Sequence, residues 1–268
     1  MKAAILLGDK PRYELTGAIT EKLRRQFTVV EHPGDAEVLL AVGGDGTMSW
    51  AAREYAHLGI PIYGINRGTV GFLLNDHADD ENDIRAAVER SVHTEFPLLK
   101  AAVSFFDGKV QDVLAFNDIW TKTINTRGQG AKHQILIDGH DIMVGHKYDF
   151  YSGDGIIICT PGGSTAYNRS AGGIILDVQA GDCMGLTPIC PYIPDNFRPQ
   201  MLPGSSQVTI VMIEDDKRQH MVMADNQGFS GVSAVSVTIS KQRVTLLFAE
   251  ESSYFMKTQR LRFSWQGD

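Results

Sequence analysis

The chain has 268 residues, a formal charge of −7 and 43% hydrophobic residues. That length allows one large domain or two ordinary ones, each with a substantial core. The acidic balance argues against a general nucleic-acid binder, which needs a basic surface, and no apolar run reaches the ~18–20 residues that span a bilayer.

Residues 1–7 open like a signal peptide, but the apolar part is short and Gly8-Asp9-Lys10 ends it. They read as a first buried strand over residues 3–7, and the expected location is cytoplasmic. A helix follows over residues 13–26, with Leu15, Ala18, Ile19 and Leu23 at helical spacing. Residues 38–42 form a second strand, residues 48–57 a helix, residues 60–65 another strand and residues 79–89 a further helix. Strands alternating with helices predict an α/β domain with a parallel sheet. Ligands of such sheets sit at the carboxyl ends of the strands, where residues 43–47 and 66–71 fall.

The character changes near residues 95–98. Beyond them come short alternating runs: 101–106, 115–123, 134–137, 156–160, 207–213, 221–224, 235–240 and 244–248. Turns such as Asp107-Gly108 and Asp138-Gly139 separate several of them. This predicts an all-β sandwich, interrupted by a helix near residues 164–172. The expected division is residues 1–98 for the α/β domain and 99–248 for the sandwich. Residues 253–263 are basic and aromatic, and periodicity does not assign them.

Gly43-Gly44-Asp45-Gly46-Thr47 follows the strand at 38–42. Glycines there let a phosphate approach the backbone, and amides at a helix start bind an anion. A plain tight turn needs neither three glycines nor the acid. Asp45 is better explained as a base for a hydroxyl, or as a ligand for a metal that carries phosphates. The motif is neither a dinucleotide fingerprint nor a P-loop, because Thr47-Met48-Ser49 follows.

Asn66-Arg67-Gly68-Thr69-Val70-Gly71-Phe72-Leu73 is a second glycine-bearing loop. It reads equally well as an ordinary connection; Phe72 is either core or a surface on which a base stacks. Asn117-Asp118 lies within an apolar run and needs partners, because unpaired buried polar groups are costly. Residues 151–155, with Ser152 and Asp154, precede the densest run of small and hydroxylic residues, 160–173. Small residues let a backbone close around a flat ligand, and Thr165 and Ser170 can read a base edge. The plainer reading is a glycine-rich loop in which Ser164 caps a helix. Cys159, Cys183 and Cys190 match no zinc spacing, the eight histidines form no metal-binding motif, and Glu214-Asp215-Asp216 reads as a solvated turn.

Together and in this order, residues 43–47, 66–73, 117–118, 153–155, 160–173 and 186–191 resemble the bacterial NAD kinases, over about residues 38–227. The 160–173 segment is the specific part; 6-phosphofructokinases and diacylglycerol-type kinases carry similar Gly-Gly-Asp-Gly loops. The resemblance implies phosphoryl transfer from ATP, or inorganic polyphosphate, to the 2′-hydroxyl of the adenosine ribose of NAD, giving NADP. It implies Mg²⁺ with the donor, a homodimer or homotetramer, and a C-terminal segment, 249–268, that returns to the first domain. By resemblance Asp45 is the catalytic base, and Gly43, Gly44 and Gly46 leave room for the donor phosphates and metal. Phe72 would pack on the adenine, and Asn117 and Asp118 would hold the nucleoside. Thr165, Ala166 and Ser170 would read the adenine edge, with Tyr167 among them. Asp154 would stand at the nicotinamide end near a neighbouring subunit, and Cys190 where the family has a small residue near the ligand. Thr47, Asn66 and Ser152 join the expected binding residues. This chain has Asp118 where the family usually has Glu, and Asn226 where Gly is common. The alternatives are a lipid or sugar kinase sharing only the loop, and a non-catalytic NAD(P)-binding regulator.

Overall fold

The structure, a computed structural model, describes residues 1–8, 13–76, 83–124, 128–145, 147–250 and 253–263. In chain order the elements are β1 (Lys2–Leu7), α1 (Tyr13–Gln26), β2 (Thr28–Val29), β3 (Val38–Gly43), α2 (Asp45–Tyr55), β4 (Ile62–Asn66), α3 (Ile84–Glu89), β5 (Val92–Phe105), β6 (Val110–Ala115), β7 (Asp118–Thr123), β8 (Ala131–Ile137), β9 (His140–Asp141), β10 (Tyr151–Gly153) and β11 (Gly155–Cys159). They continue with α4 (Tyr167–Ser170), β12 (Cys183–Ile189), β13 (Gln200–Pro203), β14 (Val208–Met212), β15 (His220–Ala224), β16 (Gln227–Ser230), β17 (Val232–Phe248) and α5 (Tyr254–Phe263). The chain forms two compact units, one of Met1–Phe96 with Gln242–Asp268 and one of Pro97–Lys241.

In the first unit β2, β1, β3 and β4 lie side by side and parallel, with the Leu246–Leu247 end of β17 next to β4. Residues 38–42 of β3 are buried throughout, as a central parallel strand with both faces covered requires. Ile19 and Leu23 of α1 and Ile84 and Val88 of α3 share a core with Val38, Leu40 and Val42. On α2, Met48, Ala51 and Ala52 are buried.

Helix α1 has the bounds that the spacing predicts; the side chain of Leu15 lies outside the described residues. The helix expected from residue 48 starts at Asp45, with Gly44 at its N-cap. Gly46 hides that first turn from a propensity reading, since glycine is a poor helix former. Of the helix expected over 79–89, Ile84–Glu89 is helical, capped by Asp83, whose carboxylate accepts from Ala86 N at 3.1 Å. Residues 79–82 lie outside the described ones.

In the second unit one sheet runs β10-β8-β14-β17, with β5 beside β17 and β6 beside β5, and the other runs β13-β12-β11-β7-β15-β16. The pairs β8–β14, β14–β17, β11–β12 and β7–β15 are antiparallel. Ile135, Ile210 and Val235 from the first sheet and Ile119, Ile156, Leu186 and Val222 from the second form one core, so the two sheets pack face to face. The α/β unit and the two-sheet β unit match the fold class expected from the sequence.

Several elements differ from expectation. The run 115–123 divides into β6 and β7 around Phe116-Asn117, and the runs 235–240 and 244–248 are one strand, β17. The helix expected near 164–172 is a 3₁₀ turn, Gly163–Thr165, followed by the four-residue α4. Strand β12 escaped the period-2 reading because every one of its residues is buried. Among the described residues no helix is long and apolar enough to cross a membrane.

Candidate active site

In the first unit the Gly-Gly-Asp-Gly loop is the junction of β3 and α2, and its glycines have different reasons to be there. A Cβ on Gly43 would stand 2.2 Å from Thr47 Oγ1, one on Gly44 3.5 Å from the Gly68 Cα, and one on Gly46 would meet nothing within 4 Å. Thr47 therefore fills the space beside Gly43, a Cβ on Gly44 would make only ordinary contact, and it is Gly68, whose Cβ would stand 2.9 Å from the Gly44 Cα, that lets the two loops close up. Only Gly46 is exposed with open space where its side chain would be. Asp45 is half-buried in the first turn of α2, where the helix dipole favours a negative charge. Its Oδ1 accepts from Leu73 N at 2.8 Å. Among the described residues no hydrogen bond engages Oδ2.

The second loop is held by Asn66, whose Oδ1 accepts from Gly68 N at 2.9 Å and whose amide donates to Asp76 at 2.7 Å. Gly71 has φ +65°, and a Cβ there would lie 2.1 Å from the Asn66 side-chain nitrogen. Phe72 is half-buried and meets Tyr254 edge-on at 5.7 Å between ring centroids. Asn66 is thus a brace for the loop, and the Leu73 amide is a site group that side-chain motifs cannot reveal.

In the second unit Asn117-Asp118 sits where β6 gives way to β7. The Asp225 carboxylate accepts from Phe116 N at 2.9 Å, Asn117 N at 2.8 Å and Asp118 N at 3.3 Å. Asp225 has φ +50° and returns its own N–H to Asp118 O at 2.9 Å. Asp118 is only 4% exposed. Burial, with the Asp225 charge second, pushes its carboxyl up to about 7. The departure of residues 225–227 from the usual pattern thus lies in the turn that secures residues 116–118.

The 160–173 segment folds on buried polar groups. Thr160 Oγ1 donates to Phe116 O at 2.6 Å, and a Cβ on Gly163 would lie 1.9 Å from Asn117 O. Ser164 is fully buried, donating to Pro161 O at 2.7 Å and accepting from Leu176 N at 3.0 Å; it is not a helix cap. Asn168 donates to Ser164 O and Ile174 O and accepts from Thr187 Oγ1 at 2.7 Å. With these groups occupied, Ala166, Tyr167 and Ser170 are left exposed and Thr165 half-exposed. Thr165 Oγ1 donates to Gly162 O at 3.1 Å, and its lone pairs can still accept. The Tyr167 ring meets Trp120 edge-on at 4.9 Å, and burial pushes its hydroxyl up.

Asp154 is exposed between β10 and β11, and Cys190 is exposed just after β12 with φ +44°. The neighbouring Asp154 carboxylate pushes the titration of the thiol up. Ser152 is held by its backbone, with N donating to Ile193 O at 2.7 Å and O accepting from Tyr192 N and Ile193 N. The expected site residues thus form two groups, one in each unit. Among the described residues no three His, Cys, Asp or Glu side chains gather as a metal-holding group.

A family model described as the ATP-NAD kinase N-terminal domain matches residues 8–96, and one described as the ATP-NAD kinase C-terminal domain matches residues 131–253. A protein named NAD kinase from Cereibacter sphaeroides is 40% identical over 217 residues, 80% of this chain and 81% of its own. Another from Brucella suis is 35% identical over 240 residues, 87% of this chain and 90% of its own. The crystal structure of yeast NADH kinase complexed with NADH superposes with a TM-score of 0.77 at 20% identity, over 100% of this chain and 89% of that one. An NAD kinase from Archaeoglobus fulgidus in complex with ATP gives a TM-score of 0.72 at 24% identity, over 97% of this chain and 99% of that one. At those identities the two structures speak for the fold alone. The matched domains and the relatives' identities carry the assignment: the chain belongs to the ATP-NAD kinase family.

Proposed function

We propose that this chain transfers the γ-phosphoryl group of ATP to the 2′-hydroxyl of the adenosine ribose of NAD, giving NADP and ADP. The supporting observation is the Asp45 carboxylate, with one oxygen tied to the Leu73 amide and the other engaged by no hydrogen bond among the described residues, beside the open side of Gly46. A protein that merely bound NAD(P) would gain nothing from a carboxylate next to incoming phosphate. A lipid kinase offers no reason for the small and hydroxylic 160–173 segment, whose residues 166, 167 and 170 are left exposed.

In this reading Asp45 Oδ2 takes the proton of the 2′-hydroxyl. The ribose oxygen bonds to the γ-phosphorus, the bond to the β,γ-bridging oxygen breaks, and ADP leaves. Such transfers depend mostly on positioning and charge stabilisation. The amides at the start of α2 and the space at Gly46 would receive the donor phosphates. Thr165, Ala166, Tyr167 and Ser170 would hold the adenine, Asn117 and Asp118 the nucleoside, and Asp154 and Cys190 the nicotinamide end. A divalent metal such as Mg²⁺ suits this site as a passenger on the phosphates, with Asp45 as the protein carboxylate at hand. When bound it would neutralise charge on the transferring phosphoryl group. Polyphosphate could replace ATP as donor. A homodimeric or homotetrameric, cytoplasmic enzyme completes the proposal.

The test is incubation with NAD, ATP and Mg²⁺, with NADP read enzymatically. Steady NADP formation is expected; none from folded protein would sink the reading.

A further inference from the structure

Helix α5 carries Lys257, Arg260 and Arg262, and Lys257 reaches the loop beside Asp45. Tyr254 and Lys257 are three residues apart and so share a face of the helix. Tyr254 is buried, edge-on to Phe72 at 5.7 Å and to Phe96 at 4.8 Å. The Lys257 ammonium lies 5.7 Å from the centroid of the Phe248 ring. It donates to the carbonyls of Gly71 at 3.4 Å, Phe72 at 3.1 Å and Leu74. An ammonium has three N–H donors, so all three converge on one short turn.

The middle contact matters most. The Phe72 carbonyl and the Leu73 N–H belong to one planar peptide and point in opposite directions. Lys257 holds the carbonyl end, and Asp45 Oδ1 holds the N–H end at 2.8 Å. A cation, an aligned peptide dipole and a carboxylate thus stand in series, an arrangement in which each hydrogen bond polarises the next. Burial pulls the Lys257 ammonium below the ordinary lysine range, while the Asp76 and Asp45 charges pull it back up.

We propose that Lys257 is a positioning residue for Asp45: through the 72–73 peptide it holds Oδ1 in place, so that Oδ2 stays turned toward the substrate hydroxyl. This rests on the phosphoryl-transfer reading of Asp45. Its role would be transmitted through a peptide, so a survey of side chains around the acid would pass over it.

The experiment compares wild type, Lys257→Met, Lys257→Arg, Asp45→Asn and the Asp45→Asn/Lys257→Met double variant. Methionine keeps most of the stem against Phe248 and removes the donors; arginine keeps a charge and donors, and covers the case in which the methionine variant does not fold. Lys257→Met is expected to lose about 10²-fold in kcat, the scale of an ångström-sized misplacement. Its KM for NAD should change less than about twofold, and Lys257→Arg should recover part of the loss, because only the positioning contact is at stake. In the Asp45→Asn background the Lys257→Met change should cost less than about twofold, since residues acting as a unit are not additive. Wild-type kcat in Lys257→Met, or the same fold-loss in both backgrounds, overturns the proposal. Hydrogen exchange at the Leu73 amide gives a readout without turnover. It should quicken at least about tenfold in Lys257→Met, because the peptide is released; unchanged protection overturns the proposal. Absence of NADP from wild type would sink the phosphoryl-transfer reading instead, full activity in Asp45→Asn would refute only the base role of Asp45, and the exchange result would still decide whether Lys257 holds the peptide.

Discussion

Gly44 and Gly68 face each other across the ends of β3 and β4: a Cβ on Gly68 would stand 2.9 Å from the Gly44 Cα. Arg67 N donates to Gly43 O at 2.7 Å alongside. The two glycine loops, which look independent in the sequence, are therefore one structure. The contact sets the second loop beside α2, from which the Leu73 amide reaches Asp45.

Asp45→Asn should fold normally, because the amide oxygen can still accept from Leu73 N. Turnover should fall by about 10²–10⁴-fold, the usual share of a general base, with NAD affinity retained by calorimetry. Full activity would leave Asp45 with positioning alone.

The glycines of the first loop should separate in a mutational test. Gly43→Ala drives a methyl into Thr47 and should cost roughly 1–3 kcal/mol in a denaturant melt. Gly46→Ala, in the first turn of α2, should leave stability equal or raise it by about 0.4–1 kcal/mol. Its cost should appear as a several-fold rise in KM for ATP. An unchanged KM would remove Gly46 from the donor site.

Two buried groups should pull stability in opposite directions with pH. Asp118 titrates at about 7 in the fold against an ordinary 3.8. Between those values the folded protein keeps a proton that the unfolded chain releases, so this contribution is intact at low pH and is lost as pH rises toward 7. His133, fully buried beside Thr121, is held down to about 3 against 6.5. There the unfolded chain takes the extra proton, so stability is present above about 6.5 and is lost as pH falls. Asp118→Asn should therefore gain on wild type as pH rises from 4 to 7, by at most about 1.4 kcal/mol per unit. Urea melts at pH 4 and pH 8 check this; an equal gain at both would contradict burial as the cause.

Hydroxyls within one segment should divide into scaffold and readers. Ser164→Ala leaves the buried Leu176 N without its acceptor and should cost about 1–3 kcal/mol of stability. Thr165→Ala and Ser170→Ala should hardly move the melt and should raise KM for NAD. A reversal of this pattern would exchange their roles.

Much was legible in the sequence because it was local. Three glycines with an acid behind a buried strand mark the β3–α2 junction whatever surrounds it, and helical spacing gives α1. The change to short alternating runs distinguishes the β-rich part from the α/β part. Asp225 could have been suspected, since an acid in a turn after a strand often holds nearby amides. Lys257 had only the basic character of its segment to mark it, and the Leu73 amide had no mark at all, because every residue carries one.

By itself, then, the sequence determined the fold class, the family resemblance and which residue types were available for chemistry. These follow from periodicity and from motifs only a few residues long. The tertiary structure decided which of those residues are scaffold and which remain open: Thr47, Ser164 and Asn168 spend their polar groups or bulk on neighbours, while Ala166, Tyr167 and Ser170 stay exposed and no hydrogen bond among the described residues engages Asp45 Oδ2. It also decided that residue 257 grips a turn some 185 positions earlier. Hydrogen-bonding capacity is a property of the side chain, but whether it is already satisfied depends on groups brought near by folding, and no spacing along the chain encodes that.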